Sequence, residues 1–493
     1  LINLKFFFYS ELLYLFFLGA ITSLSLPPYN YFFINFITFS LFFYFLYKKE
    51  NIKNINFLFY GWSFGFGYFV SNLYWISISL TFDESLKALI PISLILIPAL
   101  LALFYGISSY LFSFFKNKKV VSSFLLFSLF FGIIEVVRGY IFTGFPWNLI
   151  VYSLSNNIEF ILITSIIGTY SLNIFCISLF SSPALIFLRN DRKNIIIFLF
   201  FLFSSILIYF YGDIYKKNFV KTEKQINNFV IRAIGSNISL NRFYKDTDPF
   251  SIINELIEIS KPNKDKQTLF LWPEGIIPSI SQRELINYQN LFNNNFNNNH
   301  LIGLGINQQL IYDKNEKFYN SFSIYDYKLN LINSYNKINL VPFGEFLPFE
   351  SLLKKIGLKT ITNNYNSFSK GNKRNPMKIE IDNISFKILP LICYEIIYSG
   401  KLYNDDSFDY LINISEDGWF GKSIGPKQHF AHNIFRAIES GKYLIRSANN
   451  GKAAIINPIG MIEKQVDYGK NGFIDLEEIR KIQPTIFSKY GNK

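Results

Sequence analysis

The sequence is poor in charge, in cysteine and in histidine, and each shortage excludes something. Only 17% of its 493 residues are Asp, Glu, Lys or Arg, against about 25% in a soluble domain. That argues against a purely soluble protein. Two cysteines, Cys176 and Cys393, cannot build a disulfide framework. They lie too far apart, and three histidines are too few, for a usual zinc site. No metal ligand set is therefore expected. What is abundant is apolar material: 50% of residues are hydrophobic and 19% aromatic, enough to build cores and to exclude a disordered chain. Lys and Arg total 48 and Asp and Glu 35, a net charge of +13. Such an excess can mark nucleic-acid binding. In a membrane protein it collects in cytoplasmic loops, and the positions of the charges favour that reading, with no nucleic-acid partner.

The chain changes character near residue 212. Before it, long apolar runs are broken by short polar loops. A bilayer core takes about 20 apolar residues per helix. Seven runs are candidate spans: 5–25, 31–47, 56–80, 88–115, 120–140, 158–188 and 194–211. No small-residue cleavage site precedes Pro27-Pro28, so the first is expected to be a retained helix. Basic residues fall in alternate loops: Lys48, Lys49 and Lys53, then Lys116, Lys118 and Lys119, then Arg189, Arg192 and Lys193. The positive-inside rule sets those loops and the N-terminus in the cytoplasm, and seven crossings put 212–493 on the far side. Glu135 and Arg138, three apart in one span, are expected to pair on one helix face.

Residues 212–493 read as one α/β domain. Strand-like runs lie at Phe229–Ile234, Thr268–Trp272, Leu301–Ile306, Ile384–Cys393, Phe408–Ile414 and Lys452–Ile456. A helix is expected over Pro426–Ser440, with Pro at its start and Gly441 after its end, and the Asn-rich 293–300 stretch as a surface loop. Three short segments could carry chemistry. In Leu271-Trp272-Pro273-Glu274 a proline stops a strand and leaves a carboxylate at its end, where α/β sites lie. Tyr335-Asn336-Lys337, followed by Val341-Pro342-Phe343-Gly344-Glu345, sets a lysine in an apolar stretch, as a snorkelling surface residue or a cation beside a developing oxyanion. Ile392-Cys393-Tyr394-Glu395 delivers a thiol at a strand's end, as a small buried hydrophobe or a nucleophile that needs a base and a positive charge nearby. His429 and His432 read as helix-face residues, so the available base is a carboxylate and the available cation a lysine.

The order Glu274, Lys337, Cys393, each at or after a strand-like run, resembles the carbon–nitrogen hydrolase (nitrilase) superfamily, with its Glu-Lys-Cys triad on an αββα sandwich. Seven spans ahead of such a domain resemble, more narrowly, the apolipoprotein N-acyltransferase family of the bacterial envelope. The matching wording includes Gly65-Phe66-Gly67-Tyr68-Phe69, Leu73-Tyr74-Trp75, Glu135-Val136-Val137-Arg138-Gly139 and Thr143-Gly144-Phe145-Pro146-Trp147 in the first half. In the second it includes Asp417-Gly418-Trp419-Phe420-Gly421, Gly425-Pro426-Lys427-Gln428-His429-Phe430 and Arg446-Ser447-Ala448-Asn449-Asn450-Gly451.

The resemblance implies a multi-span helical membrane domain (1–211) followed by an extracytoplasmic nitrilase-like α/β domain (212–493), in a bacterial inner membrane. It implies Glu274 as general base, Lys337 as the oxyanion-side cation and Cys393 as nucleophile. Glu345 matches a second required carboxylate, Tyr394 and Glu395 flank the nucleophile, and Asn320 and Trp419 match positions near the acyl group. Two departures stand out. The family's Thr-Asn-Asp is Ser415-Glu416-Asp417 here, and a family Trp after the domain's first strand corresponds to Phe243. The family's last transmembrane helix has no counterpart before Lys493.

The implied reaction takes an acyl chain from a membrane phospholipid onto Cys393 as a thioester, then onto the N-terminal amine of a diacylglyceryl apolipoprotein. No cofactor is implied, and the enzyme is expected to act as a monomer. A thioester must be kept from water, which a site against the bilayer would achieve. The apolar segment Glu345–Leu358, with Lys354 and Lys355, reads as interfacial. The alternative is a membrane-tethered amidase with the same triad, in which water takes the place of the amine. A transporter with an inactive enzyme domain fits less well, since intramembrane charges are scarce.

Overall fold

The computed structural model describes residues 2–188, 191–245, 247–312, 315–348, 355, 367–381, 384–400 and 407–492. The chain divides into two compact units, 1–217 with 422–435, and 218–421 with 436–491. Arg189 of the expected basic loops lies outside the described residues, as do 349–354 and 356–358 of the expected interfacial segment.

The first unit is helical. Its longer helices are Ile2–Thr22, Ile34–Lys48, Asn54–Leu73, Ile90–Phe115, Val120–Arg138, Thr164–Ser181 and Arg192–Lys221. Five stretches among the described residues are long and apolar enough to cross a membrane: Phe7–Ser25, Glu84–Phe115, Val120–Arg138, Thr164–Leu188 and Arg192–Lys221. The expected count of seven is reached only by adding two weaker helices. Ile34–Lys48 has 15 residues. Asn54–Leu73 gives way to 3-10 turns over Tyr74–Thr81, so the apolar run to residue 80 is not one helix. The sixth run is also interrupted. Gly168 adopts φ +73° and Pro183 supplies no N–H, leaving Ile158–Ile161, a kinked Thr164–Ser181 and Ala184–Leu188. The seventh outlasts its apolar run. The helix continues to Lys221, with Lys216 bonded to Glu159 and Lys217 to Asp213, each at 2.6 Å. The division between the compact units falls after Lys217.

Aromatic rings fill this bundle; Phe42 and Phe64 stack at 4.1 Å. The expected Glu135–Arg138 pair forms and is buried, with Arg138 Nε donating to Glu135 Oε2 at 2.7 Å and Tyr105 OH to Oε1 at 2.8 Å. The segment 422–435 belongs to the same unit. Gln428 Oε1 accepts from the indoles of Trp147 (2.9 Å) and Trp75 (3.3 Å), while its Nε2 donates to Asn72 (3.2 Å). His429 lies parallel to Trp147 and His432 edge-on to Tyr152. Both histidines lie on the expected helix and are buried, because aromatic neighbours cover them.

The second unit is a twelve-stranded sheet among the described residues: β1 (Gln225–Ser236), β2 (Thr268–Leu271), β3 (His300–Tyr312), β4 (Asn315–Asp326), β5 (Leu331–Asn336), β6 (Met377–Ile381), β7 (Ile384–Ile392), β8 (Tyr410–Glu416), β9 (Tyr443–Asn449), β10 (Ala453–Ile456), β11 (Ile462–Val466) and β12 (Gly472–Ile479). The order is β5-β4-β3-β2-β1-β9-β8-β7-β6, with β10 on β9, β11 on β10 and β12 on β1. Strands β1, β2 and β3 are parallel, as are β7, β8 and β9, and the two sets join where Gly235 and Ser236 pair with Ala448 and Asn449. The far edges approach again, since Asn333 of β5 donates to the Lys378 carbonyl of β6 at 3.5 Å. The sheet thus folds over on itself. Its inner faces meet in one core that includes Ile231, Leu269, Ile324, Ile388, Ile412 and Ile445. A second core lies between β1–β3 and the helices Pro249–Ser260 and Gln289–Asn295. The latter takes up part of the expected Asn-rich loop. Every expected strand exists within a few residues of its range, and the Pro426–Ser440 helix begins at Gly425.

In the bundle, a Cβ on Gly19 would lie 1.9 Å from the Phe64 carbonyl oxygen, and one on Gly67 1.9 Å from that of Phe16. The helices Ile2–Thr22 and Asn54–Leu73 therefore touch backbone to backbone, as small residues permit in membranes. Gly67→Leu is expected to destabilise the protein by about 1–3 kcal/mol, read as a lowered unfolding temperature in detergent. An unchanged value would mean that this contact is not made.

Candidate active site

Strands β2, β5, β7 and β8 run in the same sense along the sheet, so the residues just past their C-terminal ends converge at one edge. Three residues past β2, Glu274 is buried. Pro273 ends the ladder, and the β3 backbone presses close behind, since a Cβ on Gly305 would lie 2.5 Å from Glu274 Cα. Lys337 is the first residue after β5, and its amide donates to the Asn320 carbonyl of β4 at 2.9 Å. Cys393 is the first residue after β7 and takes φ +48°, which a non-glycine residue adopts at a cost.

Two donors bridge the same two carboxylates. Lys337 Nζ lies 3.0 Å from Glu274 Oε1 and 3.0 Å from Glu345 Oε1. Asn320 Nδ2 donates to those same oxygens at 2.8 and 2.7 Å. The outer oxygens are held by backbone amides, Glu416 N on Glu274 Oε2 (3.0 Å) and Val341 N on Glu345 Oε2 (2.8 Å). All four side chains are buried. Among the described residues Asn320 Oδ1 has no hydrogen-bond partner, which leaves a buried acceptor beside the carboxylates.

Burial alone would lower the Lys337 ammonium, but Glu274 and Glu345 outweigh it and hold the group well above its ordinary value. Burial raises Glu345, more than Lys337 can offset with Glu274 so near. Burial likewise pushes the Cys393 thiol well up, Glu274 adds to this, and Lys337 and a hydrogen bond with Ser415 act against it. Burial beside Glu274 thus favours the protonated form of this thiol.

Glu395 has a different task. Its Oε1 accepts from Tyr335 OH (2.8 Å), Ile338 N (2.9 Å), Asn339 N (3.1 Å) and Arg374 Nη2 (2.5 Å), and its Oε2 from Ile392 N (2.9 Å). One carboxylate thereby ties the turn before Cys393 to the residues just after Lys337. Burial by itself would raise Glu395, yet Arg374 and these donors lower it below the ordinary carboxylate value.

The fold brings the expected Glu274, Lys337, Glu345, Asn320 and Cys393 to one place. Tyr394 is buried and packs edge-on to Tyr398. Trp419 packs on Phe243 at 4.9 Å, one turn beyond Glu416. Sequence reasoning misses Arg374, because a lone arginine in a polar loop gives no signal until the fold sets it against Glu395. Arg446 grips the Asp417 carboxylate at 2.8 and 2.7 Å, and Ser415 donates to Asp417 at 2.7 Å. Both stand inside family-like motifs, where the sequence gives them no role of their own.

Because Glu395 is lowered on folding, its contribution to stability is complete above the ordinary carboxylate value and fades as pH falls through the folded one. Glu395→Gln should flatten the loss of unfolding temperature below about pH 5 relative to the unaltered protein. Parallel curves would remove Glu395 as a source of acid sensitivity. Arg374→Met, which leaves the buried carboxylate uncompensated, should cost about 3–5 kcal/mol at neutral pH.

Comparison with known proteins finds matches to both halves of the chain. The profile described as "Apolipoprotein N-acyltransferase N-terminal domain" matches residues 18–182, and that described as "Carbon-nitrogen hydrolase" matches residues 239–482. An apolipoprotein N-acyltransferase of Rhizobium leguminosarum bv. trifolii is 30% identical over 472 residues, covering 93% of this chain and 88% of that protein. Another, of Rickettsia typhi, is 32% identical over 484 residues, covering 97% and 94%. Among solved structures, an amidase from Nesterenkonia sp. AN1 overlaps 50% of this chain and 92% of its own at 11% identity, with a TM-score of 0.32, too loose a likeness to argue from.

Proposed function

The chain belongs to the apolipoprotein N-acyltransferase family, and from that premise we propose that it acylates the N-terminal amine of a lipoprotein through a thioester on Cys393, with a membrane phospholipid as donor. It is a membrane acyltransferase with a carbon–nitrogen hydrolase domain. The observation that carries the mechanism is the pair of bridges from Lys337 and Asn320 to Glu274 and Glu345 beside a buried thiol.

In the first half-reaction Glu274 takes the thiol proton as Cys393 Sγ attacks the ester carbonyl of the lipid. Lys337 faces the developing oxyanion. Charge stabilisation of this kind is worth most in a dry site. The ester C–O bond then breaks, Glu274 returns the proton to the departing lipid alcohol, and the acyl group stays on sulfur. In the second, the acceptor amine attacks the thioester carbon and gives a proton to Glu274. The C–S bond breaks, and the sulfur recovers that proton. A neutral amine is required, so acylation of the acceptor should slow as pH falls. Glu345 holds Lys337 and Asn320 in register between two carboxylates.

The test is incubation with phospholipid labelled in its acyl chain, followed by mass analysis of the Cys393 peptide. An acyl adduct should appear, be absent in Cys393→Ala, and pass to the amine of an added diacylglyceryl lipopeptide. Release as free fatty acid with no amide product would favour the amidase reading and overturn this one. Asn320→Asp sets a third carboxylate oxygen against two others and should slow adduct formation by about 100-fold or more.

The alternating basic loops support a cytoplasmic N-terminus and a catalytic domain on the outer side of the bacterial inner membrane. A reporter fused after Thr222 should be active only outside the cytoplasm. Activity inside would reverse the orientation.

A further inference from the structure

The residue that steadies Glu274 through its outer oxygen is itself unusual. Glu416, at the end of β8, brings a carboxylate into a buried turn. The structure supplies its counter-ion from another loop. Arg242, in the short 3-10 turn Leu240–Phe243 after β1, is buried and donates Nη2 to Glu416 Oε2. The same guanidinium donates Nε to the carbonyl of Ile276, two residues beyond Glu274, at 3.1 Å. Its Nη1 donates to the carbonyls of Ile238 (3.2 Å) and Ser239 (2.9 Å). These contacts close a ring: Glu274 Oε2 to Glu416 N, Glu416 Oε2 to Arg242, Arg242 to Ile276, and through Gly275 back to Glu274.

The surroundings make the ring stiff. Gly275 has φ +52°, so the backbone it carries depends on outside contacts to hold its course. Glu416 also accepts from Asn449 Nδ2 (2.7 Å), Gly418 N (2.8 Å) and Asn450 Nδ2 (3.3 Å). The two loops meet a second time where Phe243 packs on Trp419. A buried Glu416 needs a cation, and only a fork can serve Glu416 and Ile276 together.

We propose that Arg242 is a positioning residue for the reaction: with Glu416 it closes a hydrogen-bonded ring that fixes where the Glu274 carboxylate points. This rests on the reading of Glu274 as the base. A buried ion pair also affects folding, and the two roles separate by variant. Arg242→Lys keeps the charge and loses the fork. It should unfold near the unaltered temperature yet load Cys393 about tenfold more slowly. Arg242→Met leaves Glu416 without its cation and should lower both the unfolding temperature and the rate. In Arg242→Met/Glu416→Gln the buried charge is gone, so the unfolding temperature should recover while the rate stays low.

The measurement is single-turnover loading of Cys393 in the full-length protein in detergent, with saturating acyl-labelled phospholipid and with the donor concentration for half-maximal loading determined separately. That concentration should not change, because the ring touches the base and not the lipid. Arg242→Lys and the double variant both loading at the unaltered rate would overturn the proposal and leave the pair a folding element only. Glu274→Gln serves as the control. If it loads normally, the reading of the base fails. If it abolishes loading while Arg242→Lys does not slow it, the ring alone fails.

Discussion

Everything at this site depends on one ammonium group shared by two buried carboxylates. A lone buried carboxylate would protonate, and a lone buried lysine would lose its proton. Lys337 set 3.0 Å from Glu274 and from Glu345 lets charge persist away from water. Asn320 and two backbone amides donate to the same two carboxyl groups. Dryness makes each of these interactions strong, and the lysine keeps dryness from discharging the cluster.

The price of such a cluster is met by the frame around it. The groups are held from several strand ends: Glu274 from β2 and β8, Lys337 from β4 and β5, and Cys393 from β7, with Glu395 joining Ile392 to the residues after Lys337. The buried pairs Arg374–Glu395, Arg242–Glu416 and Arg446–Asp417 ring the site. Such pairs add little net stability over apolar packing, but removing one partner is costly, so they fix geometry more than they hold the fold. The helical unit obeys another rule. Without water to drive association, its helices join through glycine contacts, stacked rings and the buried Glu135–Arg138 pair.

The strands of this unit that are legible in the sequence are those whose apolar runs are continuous, because both faces are buried: β1, β2, β7, β8 and β10, and the first half of β3. β4, β5 and β9 give no such signal. Their polar residues, such as Asn320, Ser323 and Arg446, are buried by partners from distant strands, and no local pattern announces that. In the membrane unit hydropathy locates the helices but misjudges their ends. A run of apolar residues does not reveal where Gly168 turns the backbone or where Tyr74 begins a 3-10 turn, and the last helix extends into polar sequence on side-chain ion pairs.

Sequence is enough to pick out a Glu, a Lys and a Cys, each at a strand's end, ahead of which lies a long apolar half. Residue type and its place after a strand are local properties, and they survive without coordinates. Which donors hold these groups is set by the folded chain. Asn320 bridges two carboxylates because β4 lies beside β5. Arg374 and Arg242 matter because loops far apart in the chain meet across the folded sheet. Hydrogen-bond partners and burial are set by distance in space, which sequence order does not encode.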